Sequence, residues 1–361
     1  MDFSITPDQT LMQESLIRTL EQSAGLDRVR AFAADPSDVG SDIWAALTDF
    51  GLPGLLIPEA YGGLGLSLLD AALMSEALGR NVTPAPFLGS CVLGPLALQL
   101  GGNGDQQTRW LPRIVAGEVR VGLGLSEPIA GARDGAGVRC EAGRLTGTCL
   151  FVDDGLHADL FLIADQSGQV HLVAGDAQGL SRQAMTSIDL TRRLGRLDLV
   201  NVAGEPLTAS PDLLTRLRDA AWVMLAADML GACDVMITKA VAYAGERRQF
   251  GRVIGSFQAV KHMCAEMAAE VEPARSLVWY AAYAFDAAPQ EASLMAAHAK
   301  AHLSEIGRFV ARTSTEVHGG MGITDLLGLH YWFKRLGLGR QWFGGPERVR
   351  LAAAQAQGLV A

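Results

Sequence analysis

Paired cysteines are missing from this chain. The five present, Cys91, Cys140, Cys149, Cys233 and Cys264, are odd in number and widely spaced, with no CxxC among them. That excludes a disulfide scaffold, suits a reducing compartment and offers no metal framework, so no metal is expected. Cationic excess is missing too. Thirty Lys and Arg stand against 39 Asp and Glu, a formal charge of −9, which argues against nucleic acid or an anionic membrane surface as partner, because both recruit through a basic field. Any phosphate-bearing ligand must therefore be met by local cations. The most apolar segment, residues 220–237, is interrupted by Asp228 and Asp234; a bilayer-spanning helix seldom accepts two carboxylates, and the segment reads as a buried helix. The start, Met1-Asp2-Phe3, carries an acid where a secretory signal would carry Lys or Arg, and a cytoplasmic location is expected. No Gly-x-Ser-x-Gly elbow, Walker loop or dinucleotide GxGxxG stands at a strand-to-helix junction, which leaves hydrolase and nucleotidase readings little support.

What is present is globular. With 361 residues, 49% hydrophobic and 19% charged, the chain should bury more than one core. Residues 1–118 carry repeated helix signals. Thr6 with Pro7 is an N-cap followed by a first-turn proline, and Ser67 with Asp70 is a capping box. Residues 119–208 change to short apolar runs at 122–125, 160–163 and 170–173, punctuated by Gly, Asp and Ser, and read as a β domain. Residues 209–361 open on Ser210-Pro211, a second N-cap and first-turn proline. Three long helical stretches follow, to about 245, from 257 to about 287 and from 290 to about 317. A shorter helix should begin at Pro346, and together these make a four-helix bundle.

Several motifs sit at the joints. Glu246-Arg247-Arg248-Gln249-Phe250-Gly251 closes a long helix with cations, which favour the helix dipole and could equally neutralise a pyrophosphate. His318-Gly319-Gly320-Met321-Gly322 ends another; adjacent glycines stop a helix and also let a backbone approach a cofactor. His298 and His302 lie four apart with Glu305 nearby, but HExxH order and a third ligand are lacking, so ordinary packing is expected. The aromatic stripe of Trp279, Tyr280, Tyr283 and Phe285 reads as core or subunit interface.

Four segments in this order resemble the acyl-CoA dehydrogenase family over essentially the whole chain. They are Pro58-Glu59-Ala60-Tyr61-Gly62-Gly63-Leu64-Gly65, then Leu125-Ser126-Glu127-Pro128, then the Glu246 to Gly251 motif with Gln258 downstream, and His318 to Thr324. The resemblance implies that family's fold: an N-terminal all-α domain, a middle β-barrel-like domain and a C-terminal four-helix bundle. It implies FAD as cofactor, an acyl-CoA thioester as substrate, and a dimer or tetramer in which FAD lies across a subunit boundary. By the same resemblance Arg247, Gln249, Phe250, Gln258, Gly319 and Gly320 would hold the adenosine end of a neighbour's FAD, and Ser126 and Phe151 would lie beside the chain's own flavin ring.

The chain departs from that family where the chemistry is done. α,β-Dehydrogenation needs a base beside the α carbon, usually Glu in a Tyr-Glu-Gly-Thr turn, with burial tuning its pKa. Here the turn reads Phe343-Gly344-Gly345-Pro346, and Gly344 has no side chain to take a proton. The minority position for that Glu, early in the first bundle helix, falls on Ala221. Glu347 is a substitute base only if it leaves the ordinary job of an acid at a helix N-terminus. The flavin-facing Trp-Ile-Thr is replaced by Phe151-Val152-Asp153, and an ionised Asp cannot donate a hydrogen bond to flavin. Gly-Ala-Gly-Ser-Asp becomes Ala130-Gly131-Ala132-Arg133-Asp134.

Two functions are therefore weighed. One is the non-catalytic subunit of a heteromeric acyl-CoA dehydrogenase, a heterotetramer whose other subunit is a homologue that keeps the Glu, as in bacterial enzymes acting on steroid side-chain CoA thioesters. The other is a self-sufficient flavoenzyme, either a dehydrogenase with a relocated base such as Glu347 or an oxygen-using relative.

Overall fold

The computed structural model describes residues 4–360. The first six α-helices are α1 (Pro7–Ser23), α2 (Leu26–Ala34), α3 (Ser41–Asp49), α4 (Leu68–Arg80), α5 (Gly94–Gly101) and α6 (Gly104–Val115). Both capping boxes form. The Thr6 hydroxyl accepts from Gln9 N, and the Ser67 hydroxyl accepts from Asp70 N while the Asp70 carboxylate returns the bond. In the glycine-rich loop after Pro58 one glycine is demanded by space, because a Cβ on Gly63 would lie 2.0 Å from Ile57 O.

Strands follow: β1 (Val121–Gly124), β2 (Gly137–Glu141), β3 (Arg144–Asp153), β4 (Leu160–Ala164), β5 (Val170–Ala174), β6 (Leu180–Ala184), β7 (Leu194–Ala203) and β8 (Glu205–Pro206), with the short helix α7 (Ser126–Ala130) after β1. They form one sheet in the order β6-β7-β3-β1-β4-β5-β8, with β2 against β3; β1 and β4 run parallel and the other pairs antiparallel. β4 is buried on both faces, and its side chains alternate between two cores. Leu160 and Leu162 join the large core shared with the helices, while Phe161 and Ile163 join a smaller core with Val138, Leu145 and Leu199.

The C-terminal part contains α8 (Leu213–Glu246), a two-stranded hairpin of β9 (Arg248–Gln249) and β10 (Arg252–Val253), then α9 (Gln258–Ala287), α10 (Pro289–His318), α11 (Leu329–Gln341) and α12 (Pro346–Ala356). Two expectations are corrected. Ser210-Pro211 does not cap α8: the Ser210 hydroxyl bonds the Asp212 carboxylate, and the helix starts at Leu213 with no side-chain cap. A separate helix, α11, also stands before the one opened by Pro346. Its central Gly337 and Gly339 weaken the helix signal.

α8 is long and apolar enough to cross a membrane, yet 83% of its most apolar window is buried in the protein. It meets α4 at close range. A Cβ on Gly79 would lie 2.0 Å from Asp228 O, and one on Gly231 would lie 1.9 Å from Glu76 O. The carboxylates that interrupt the apolar segment are spent on ion pairs, Asp228 with Arg335 and Asp234 with Arg275.

Candidate functional site: a buried polar seam and an exposed hairpin

The helix and the turn where a base is expected are joined by one hydrogen bond. In the Phe343-Gly344 turn between α11 and α12, Phe343 has φ +54° and Gly344 has φ +109°. Trp222, next to Ala221, donates from its indole N–H to Phe343 O at 2.8 Å. The bond ties the residue after Ala221 to the residue before Gly344, and neither Ala221 nor Gly344 brings a carboxylate. The glycine is also imposed by the backbone, since a side chain is strained at φ +109°. Beneath the turn, the fully buried Lys300 donates to Gly339 O at 2.7 Å and Arg340 O at 3.1 Å, and reaches Gly344 O at 3.5 Å. Burial, reinforced by Arg340, pushes its pKa down to about 7.

A seam of buried charge joins this turn to the β domain. Arg335 holds Asp228 with a two-pronged ion pair, its Nη2 2.6 Å and its Nε 2.9 Å from the carboxylate, and also donates to Thr83 O and to the Thr191 hydroxyl. Arg192 approaches the same Asp228 at 3.4 Å and lies over the Trp342 ring at 5.5 Å. Burial opposes ionisation of Asp228, but the attraction of Arg335 outweighs it and holds the carboxyl below its usual range. Asp153 and Asp154 behave oppositely. Burial raises them to about 6 and about 7, with the nearby arginines only partly countering it. Asp153 Oδ2, Asp154 Oδ2 and His157 Nε2 are buried without hydrogen-bond partners. All three residues line a small cavity of about 30 Å³ with Phe32, Arg192 and Arg193, room for a water or two. Buried polar atoms are normally paired, and a concentration of unpaired ones marks ligand space or a reservoir of strain.

At the adjoining corner of the β domain, Ser126 starts α7 with its hydroxyl buried and unpartnered. Glu127 accepts from Leu150 N at 2.8 Å, and burial pushes its carboxyl up. Pairing of β3 with β7 slips between Cys149 and Val152, a bulge that re-aims the side chains beside it. Phe151 sits there at φ +56°, and the Arg133 guanidinium lies 4.4 Å from its ring centroid. The two replaced motifs, around Arg133 and Phe151, thus meet each other.

The other motifs gather at the far end of the bundle. The Tyr243 and His318 rings lie 4.8 Å apart, which joins the end of α8 to the end of α10. Phe250 and Gly251 form the hairpin turn with φ +52° and +79°, a conformation that favours Asn-Gly and is strained for phenylalanine. Phe250 is 91% exposed; its one ring contact among the described residues is edge-on with Phe257 at 6.1 Å, and Arg252 covers Phe257 at 3.9 Å. Arg247, Gln249 and Gln258 are exposed around it. At Gly319 and Gly320 a Cβ would meet no described protein atom within 4 Å; Gly319 is held to glycine by its backbone at φ +58°, whereas Gly320 has neither a positive φ nor a crowded neighbour. From Asp228 to Glu246 the helix rises about 27 Å at 1.5 Å per residue, so the seam and the hairpin stand well apart along α8.

Glu347 is placed at the surface. It is the acid of the first turn of α12, its side chain 77% exposed and 3.5 Å from Arg340. Glu305 is engaged by Arg308 and Arg340, and His298, His302 and Glu305 form no metal-ligand cluster among the described residues. Sequence reasoning did not single out Arg192, Arg335, Lys300, Asp154 or His157. The available signal was a charged residue within an apolar helical stripe, which Asp228 and Lys300 both give.

Comparison with known proteins agrees. The family description "Acyl-CoA dehydrogenase, N-terminal domain" matches residues 6–118, and "Acyl-CoA dehydrogenase, C-terminal domain" matches residues 218–358. The acyl-CoA dehydrogenase IpdE2 of Mycolicibacterium smegmatis is 31% identical over 356 residues, covering 98% of this chain and 99% of that one. Among solved structures, the ChsE4-ChsE5 complex from Mycobacterium tuberculosis superposes with TM-score 0.91 at 27% identity over the full length of both chains. The Tcur3481-Tcur3483 steroid ACAD gives 0.89 at 28% over 98% of each.

Proposed function

The chain belongs to the acyl-CoA dehydrogenase family, oxidoreductases that act on acyl-CoA, and we propose that it serves there as the non-catalytic subunit of a heteromeric enzyme. Its partner is a homologous subunit that keeps the Glu, and the substrate is a CoA thioester of a steroid side chain. The two copies of each chain would form a heterotetramer in the cytoplasm, where five unpaired thiols persist.

One observation supports the reading: the position where the family resemblance expects the base is Gly344 at φ +109°, a backbone that disfavours a side chain as well as lacking the carboxylate. The family is FAD-dependent, and the residues here fit FAD unequally. At the hairpin end Arg247 supplies a cation, Phe250 an exposed ring and Gly319 with Gly320 an open backbone face. At the ring end Arg133 covers Phe151, and Asp153 brings an acid where reduced flavin would place negative charge, an unfavourable pairing. About 27 Å of helix separates the hairpin from Asp228, whose arginines neighbour Asp153, so the hairpin serves a cofactor held mainly by another subunit.

Asp153 favours a second reading. A buried carboxyl with one unpartnered oxygen and pKa about 6 could itself accept a proton, which would make the chain a self-sufficient flavoenzyme.

Purifying the chain with and without its co-expressed partner, and measuring FAD per chain and steroid-CoA turnover, separates the two readings. The subunit reading expects little flavin and no turnover alone. In the complex, Arg247→Ala with Phe250→Ala should lower FAD affinity roughly tenfold or more, the scale of a lost hydrogen bond to a charged group. Stoichiometric FAD and brisk turnover by the lone chain would end it.

A further inference from the structure

The β domain gathers three ligand-type side chains that the flavin reading leaves unused. Cys140 lies on β2, Asp165 directly after β4, and His171 on β5. Among the described residues they are the one group of at least three His, Cys, Asp or Glu whose ligand atoms lie close enough to hold a metal, all within 4.8 Å of one another. They converge because the β4–β5 turn folds back on β2, where Gln166 N donates to Val138 O at 2.8 Å. His171 also pairs with Ile163 across β4 and with Pro206 across β8.

The geometry points to a divalent zinc-class metal site formed by Cys140 Sγ, Asp165 Oδ2 and a ring nitrogen of His171, with the fourth position open to water on the half-buried cysteine side. Asp165 Oδ2 and His171 Nε2 are already 3.0 Å apart, close to the separation of neighbouring ligands on a tetrahedral ion. The carboxylate is oriented from behind: Asp165 Oδ1 accepts from the Ser167 amide at 2.8 Å, the Ser167 hydroxyl at 2.5 Å and Gln169 N at 3.2 Å. Hydrogen bonds to a ligating carboxylate's other oxygen hold the ligand in place. His171 is 3% exposed, so the ring nitrogen that faces Asp165 is held away from bulk solvent. Ligand type narrows the ion. A thiolate with an imidazole and a carboxylate suits zinc, whereas magnesium and calcium prefer oxygen alone. On binding, the Cys140 thiol gives its proton to solvent and the thiolate becomes the ligand.

The test uses the full chain without a histidine tag, together with its partner if the two co-purify. After chelation and dialysis, one zinc per chain should rebind, measured by plasma mass spectrometry, and raise the melting temperature. Cobalt(II) should replace it and give the near-ultraviolet thiolate-to-cobalt charge-transfer band. Cys140→Ser should remove that band and weaken zinc at least tenfold. The substitution is half-buried and conservative, so it keeps the test open if His171→Gln fails to fold. Less than a tenth of an equivalent of zinc, no charge-transfer band, or equal zinc in Cys140→Ser would overturn the proposal. So would rapid alkylation of Cys140 unchanged by zinc, which would mark a free thiol beside a hydrogen-bonded His–Asp pair.

Discussion

The hairpin beyond the C-terminal end of α8 and the charge seam at its middle are built from similar residues put to opposite uses. At the hairpin end Arg247 and Phe250 reach solvent, and a strained turn holds an aromatic ring with little support from the chain itself. At the seam the cations turn inward: Arg192 and Arg335 are consumed by Asp228, and Asp153 stays half-compensated in a cavity too polar to be plain core. A ring held out at a conformational cost favours a partner or cofactor, while inward pairing favours structure. The comparison therefore separates residues whose loss should cost stability from those whose loss should cost binding.

The strongest way to break this contrast is Arg335→Leu. It leaves Asp228 buried with only the longer contact to Arg192, and should destabilise the chain by ~3–5 kcal/mol, the cost of an uncompensated buried charge, in urea unfolding. An effect below about 1 kcal/mol would mean that the seam is not structural. Next comes Gly344→Glu. The backbone at φ +109° should cost ~1–3 kcal/mol, and turnover of the lone chain should stay absent; restored activity would show that only the carboxylate was missing.

Asp153 gives a pH-resolved test. Its folded pKa of about 6 lies above the unfolded value near 4. The native state therefore holds a proton that the unfolded state has released, and stability falls as pH rises from about 4 to about 6. Asp153→Asn should be neutral at pH 4 and stabilising by ~1–2 kcal/mol at pH 8. Equal effects at both values would assign the change to packing. The smallest effect is at the hairpin. Phe250→Asn relieves the left-handed strain, since Asn tolerates that region, and should raise the stability of the chain alone by ~0.5–1 kcal/mol while weakening FAD in the complex. A variant that loses both would place the ring in the fold instead of the site.

The sequence made the helices at 7–23, 68–80 and 346–356 legible because local signals set them: caps, first-turn prolines and apolar spacing. The family motifs located the hairpin, the Gly-Gly turn and the empty base position. What stayed hidden was tertiary. Nothing local says that Arg335 reaches Asp228 across 107 positions, or that Cys140, Asp165 and His171 meet. α11 was missed because two glycines blur its periodicity, and the start of α8 was misplaced because Ser210 bonds Asp212 in place of a backbone amide. The seam's arginines look like surface residues in one dimension, since charge alone does not reveal burial.

The close crossing of α4 and α8 has a consequence for synthesis. Gly79 and Gly231 fit each helix against the other's backbone, yet more than 130 residues separate the two elements. At ribosomal speed α4 waits on the order of ten seconds for the surface that will cover it. Its buried side chains, Leu73, Met74 and Leu78 among them, must be sheltered meanwhile. The emerging polypeptide thus presents sticky surface to chaperones, or to a sister chain being made alongside, long before it can close on itself.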